Sequence, residues 1–138
     1  MQKAHKIDLK NIQSVFSRYP EVQAVYLYGS HASGRTHPQS DIDLAIYPDD
    51  PELKNQKLDI LADLVRAGFE NVHLAFVGPK SDPVFAFEVI HQNRIIHATD
   101  HFQRGTVYSR IVRQYFDFLP FLEVQRKAYK ERVLHGSA

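Results

Sequence analysis

Two carboxylates and a small turn carry the chemistry this sequence offers. Asp41 and Asp43 are separated by one residue, and ten residues lie between Asp41 and the upstream pair Gly29-Ser30. Each lies against an apolar run, Val22 to Tyr28 before the glycine and Asp41 to Tyr47 through the aspartates, and both runs read as strands. Side chains alternate faces along a strand, so Asp41 and Asp43 project from one face and Ile42, Leu44 and Ile46 from the other. Two residues of strand span roughly 6.6 Å, close enough for one bound cation to touch both acids. Like charges at that spacing raise each other's pKa unless something positive lies between them, most simply a divalent metal. Glycine at the turn lets backbone approach a ligand closely. Ser30 is suited to cap a short helix whose free N–H groups would hold phosphate. A phosphate cradle one loop away from paired carboxylates is what phosphoryl or nucleotidyl transfer requires.

The stretch Tyr28-Gly29-Ser30-His31-Ala32-Ser33-Gly34-Arg35, with Ser40-Asp41-Ile42-Asp43-Leu44, resembles the DNA polymerase β-like nucleotidyltransferases. More narrowly it resembles the minimal nucleotidyltransferases, the small antitoxin partners of HEPN toxins. The resemblance runs over about residues 5 to 100 in order of elements. It implies an α/β (α+β) fold with a small mixed sheet and helices packed on one face, the other face left open to ligand. It implies Mg2+ held by Asp41 and Asp43, ATP as substrate, and Gly29, Ser30 and Ser40 lining the nucleotide. Its further implication is a cognate HEPN toxin, bound in a hetero-oligomeric complex and neutralised by transfer of AMP to a tyrosine hydroxyl. The family usually carries a third acid on the next strand, and here the matching residue is His73. An imidazole can still take a proton near neutral pH, but it is a poor ligand for magnesium. His73 is therefore either a catalytic base beside a one-metal site or a half-buried structural histidine. Arg35 either steadies the triphosphate or is a solvated loop residue. A degenerate chain that neutralises its toxin by binding alone, and a transferase acting on a small molecule, stand as the alternatives.

The remaining sequence supplies the elements that must hold these groups. Leu9, Ile12, Val15, Phe16 and Tyr19 recur at helical spacing behind a capping Asp8. Leu53, Ile60, Leu61, Leu64 and Val65 mark a second helix stopped near Gly68, Val72 to Val77 a third strand, Ser81-Asp82-Pro83 a third helix start, and Ile95-Ile96 a short edge strand. Tyr26 and Tyr28 read as core. A nucleotidyltransferase domain over 1–100 and a helical extension over 101–138 follow from this order. The chain of 138 residues has 43% hydrophobic and 24% charged residues, ordinary for one globular domain. It has no cysteine, hence neither disulfides nor thiolate metal sites, which suits a cytoplasmic location. A net charge of +1 gives no argument for direct nucleic-acid binding, and no apolar run is long enough for a membrane span.

The segment after Gly105 is again helical, with Val107, Ile111, Tyr115, Phe118, Leu119 and Leu122. It is more apolar than one packing stripe needs, so it reads either as a protein-binding surface or as a helical hairpin turned at Pro120. Pro120 is expected to kink or break the helix.

Overall fold

The computed structural model describes residues 8–29 and 41–135. Four strands form one mixed sheet in the order β3-β2-β1-β4: β1 (Ala24–Tyr28), β2 (Ile42–Tyr47), β3 (Val72–Phe76) and β4 (Ile95–Ala98). β1 pairs antiparallel with β2 and β4, and β2 pairs parallel with β3. Five helices are present among the described residues: α1 (Leu9–Phe16), α2 (Pro51–Lys54), α3 (Lys57–Arg66), α4 (Pro83–His91) and α5 (Arg104–Leu134).

Local chemistry sets the ends of these elements. Asp8 caps α1 by accepting from the Asn11 N–H, and Asp82 caps α4 by accepting from the Val84 N–H with Pro83 at the first helical position. Gly68 follows α3 with φ +101°, the left-handed conformation that ends helices, while the Phe69 N–H returns to the Leu64 carbonyl. The second helix expected from the sequence is two, because the chain leaves helical geometry at Gln56.

The expected α/β class with a small mixed sheet and a helical C-terminal segment is the one adopted, but its layering is fuller. On one face Val25, Leu27, Leu44, Ile46, Leu74 and Ile96 pack against Ile12, Val15 and Phe16 of α1 and Ile60 and Leu64 of α3. On the other, Ala24, Tyr26, Ala45 and Tyr47 pack against Ala86, Val89 and Ile90 of α4 and Val107 and Ile111 of α5. Helices thus cover both faces, not one. The face carrying the aspartates is open only at its Asp41–Asp43 end, because Ala45 and Tyr47 further along the same face are buried. Neither break nor hairpin occurs at Pro120: α5 is a single helix of 31 residues that runs through it. Pro120 is exposed, so the Phe116 carbonyl that loses its N–H partner lies where water can satisfy it.

Candidate active site

Sheet register builds the site. Asp43 pairs with Tyr28 of β1 on one side and with His73 of β3 on the other. Asp41 lies just ahead of β2, held in line by the Ile42 N–H donating to the Asn71 carbonyl at 2.8 Å. The alternation expected from the sequence brings the two carboxylates to one face, and both converge on one imidazole. His73 Nε2 lies 3.4 Å from Asp41 Oδ2, and His73 Nδ1 lies 3.4 Å from Asp43 Oδ1. Side-chain exposure rises from 25% at Asp43 to 48% at Asp41 and 71% at His73, so Asp43 forms the floor and His73 the solvent edge. His73 is thus no buried structural histidine.

Gly29 closes the floor. It ends β1 with φ +74°, and a Cβ at this position would overlap Asp43 Oδ2 and lie 3.3 Å from Asp43 Cγ. Both the left-handed backbone and the close approach require glycine. Beside it, the half-buried Tyr28 ring stands edge-on to Phe85 at 5.7 Å between centroids. Burial pushes the Tyr28 hydroxyl up to about 12, and the charges of Asp43 and Glu88 push in the same direction. At neutral pH that hydroxyl is protonated, a donor and not a nucleophile. The sequence reading placed Tyr28 in the core; its role as a wall of this site was legible in its position immediately before Gly29. Tyr26, by contrast, is buried core.

The donor set suits one hard divalent cation. Two carboxylates from one strand end offer oxygen ligands, and magnesium commonly takes one or two carboxylates and completes its shell with water and substrate phosphates. Among the described residues no group of three or more His, Asp or Glu side chains is placed to hold a metal. Ser30, Arg35 and Ser40, expected at the nucleotide, lie outside the described residues, as do His31 and His37. Asp82 is occupied capping α4 at the opposite end of the sheet. One carboxylate escaped the sequence reading: Asp49, 4% exposed, accepts from the Lys80 N–H at 2.9 Å and the Ser81 hydroxyl at 3.3 Å. It fixes the β3–α4 connection and stands apart from the site. No described helix is long and apolar enough to cross a membrane.

Residues 10–102 match the family model described as "Polymerase beta, Nucleotidyltransferase". No curated protein matches the chain by sequence. Solved structures share the fold. A chain of a toxin–antitoxin crystal structure with AMP-PNP aligns over 93% of this chain and 99% of its own, at 22% identity and a TM-score of 0.70. A chain of the tri-AMPylated Shewanella oneidensis HEPN toxin in complex with MNT antitoxin aligns over 97% and 99%, at 20% identity and a TM-score of 0.63. A chain of the toxin–antitoxin MntA–HepT aligns over 97% and 99%, at 19% identity and 0.62. The mixed sheet, the helices and the long C-terminal helix together are the polymerase β-like nucleotidyltransferase fold.

Proposed function

Because the chain belongs to the polymerase beta nucleotidyltransferase family, we propose that it is an antitoxin that transfers AMP from ATP to a tyrosine hydroxyl of a cognate HEPN toxin. One observation carries the reading: two carboxylates two residues apart at one strand end converge, with an imidazole, beside a glycine-closed turn. The structural likeness to chains from a toxin–antitoxin structure with AMP-PNP and from a complex of an AMPylated HEPN toxin supports the choice of nucleotide and partner. On this reading residues 1–100 are the transferase, 101–138 its helical extension, and the cytoplasm the place of work.

The roles divide by position. Asp41 and Asp43 would hold Mg2+, which when bound would neutralise charge on the phosphate oxygens. Gly29 and Ser30 would hold the β- and γ-phosphates, and Ser40 and Arg35 are assigned to the nucleotide on the same reading. The toxin tyrosine oxygen attacks the α-phosphorus in line. A new P–O bond forms, the bond from the α-phosphorus to its bridging oxygen breaks, and pyrophosphate leaves with the electron pair. His73, at the solvent edge, accepts the proton released by the tyrosine. The bulk and charge of AMP beside a ribonuclease site would block RNA.

A second reading is favoured by His73 itself. An imidazole stands where the family usually has an acid, and this suits a degenerate chain that neutralises by binding alone. Incubation of the purified chain with α-labelled ATP, magnesium and the protein encoded beside it separates the two. Label on that protein, lost in Asp41→Asn/Asp43→Asn while the complex persists, supports the transferase. A stable complex without label supports the binder, and label only on added small molecules refutes both.

A further inference from the structure

The last helix carries a face that its own domain leaves bare. α5 has 31 residues, and only Val107 and Ile111, in its first third, are buried. A helix of this length extends about 46 Å. At about 100° per residue, Val124 lies about 140° around the axis from Ile111, so the two cannot face the same core. Of the eight exposed large hydrophobic side chains in the described residues, six are on α5, among them Phe116 at 58%, Phe121 at 67% and Val124 at 67%.

The outward face has a pattern. Arg113, Asp117, Pro120, Val124, Lys127 and Glu131 recur at alternating steps of four and three residues, and all six are exposed. That spacing keeps the six on one line along the helix, the line along which a second helix can lie. We propose that this face pairs with the same face of a second copy of the chain, antiparallel, about a two-fold axis near residue 122.

Charge complementarity selects both occupant and direction. In the antiparallel register Pro120 faces Val124 of the second copy, Asp117 faces Lys127, and Arg113 faces Glu131. The symmetry repeats each pair, so two apolar layers at the centre are flanked by four layers of opposite charge. Phe116 and Phe121 lie about 60–80° to either side of this line. A parallel pair would set Arg113 against Arg113 and Lys127 against Lys127, which is repulsive. The register is isologous, each copy offering the same patch to the other.

This inference is independent of the reaction catalysed, and its test uses the full chain alone. Sedimentation equilibrium at tens of micromolar should give twice the 15.9 kDa chain mass. Val124→Asp, at an exposed position, should give a monomer with an unchanged circular dichroism spectrum. Asp117→Lys and Lys127→Asp should each weaken the dimer by about tenfold or more, because each places like charges opposite one another twice. The two substitutions combined in one chain should restore the dimer to within about threefold of wild type, since the same pairs reform with signs exchanged. A monomeric wild-type chain overturns the proposal. So does a dimer indifferent to Val124→Asp, or a double variant no better than the singles. A chain that is monomeric alone and uses this face only to bind a different protein overturns it equally.

Discussion

Replacing Gly29 by alanine tests the floor of the site. The added methyl group would overlap Asp43 Oδ2 and stand 3.3 Å from Cγ and 3.5 Å from Cβ, so the carboxylate has to move, by about 1 Å, to reach ordinary contact. The backbone adds to this, since φ of +74° costs a residue with a Cβ about 1–2 kcal/mol. The sum predicts a melting temperature lower by roughly 3–8 °C. The kinetic effect is larger than the stability effect. A misplacement of about 1 Å at a reacting centre can cost about 10²-fold in rate, and here it falls on one of the two acids assigned to the cation. Gly29→Ala should therefore remain folded and transfer label from α-labelled ATP about 10²-fold more slowly, measured under single-turnover conditions with the partner in excess. A rate within threefold of wild type, in a protein that melts normally, would refute the claim that Gly29 sets the position of Asp43.

Three further outcomes are expected. His73→Asp adds an oxygen donor opposite Asp43 in the strand register and should lower the magnesium concentration needed for half-maximal nucleotide binding by about tenfold; no change would remove His73 from the site. Asp49→Ala strips the buried acceptor from the Lys80 N–H and the Ser81 hydroxyl and should cost about 1–3 kcal/mol in denaturant unfolding, with label transfer in the surviving folded protein unchanged. His97, 6.2 Å from the Phe16 ring, is held below its ordinary 6.5 by burial. The unfolded chain therefore binds the proton more readily, so stability should be full above about pH 6.5 and fall as pH drops through the lower folded value. His97→Phe should flatten the stability profile in that window, and an unchanged acid slope would assign the effect elsewhere.

Where local chemistry decides, the sequence was readable. Asp8 and Asp82 announce their helices because a short polar side chain before an apolar run has few other uses, and Gly68 ends α3 in the conformation glycine favours. The convergence of Asp41 and Asp43 follows from strand alternation alone, and His73 was found at the expected strand position. What escaped was decided by packing at a distance. The alternation that exposes Asp43 also places Ala45 and Tyr47 on the same face, and their apolar character was the available sign that α4 and α5 cover it. Pro120 does not break α5, which continues through it with the Phe116 carbonyl open to water. Asp49 gave no sign at all, because its partners lie 31 and 32 residues downstream.

The account rests on two acids sharing a cation beside a bound triphosphate, and anomalous diffraction sees that directly. Crystals soaked with manganese and a non-hydrolysable ATP analogue should show a metal peak bonded to one oxygen each of Asp41 and Asp43 and to the phosphates, with the triphosphate against Gly29. A peak bonded to neither aspartate, or a nucleotide bound away from the Gly29 turn, would contradict it.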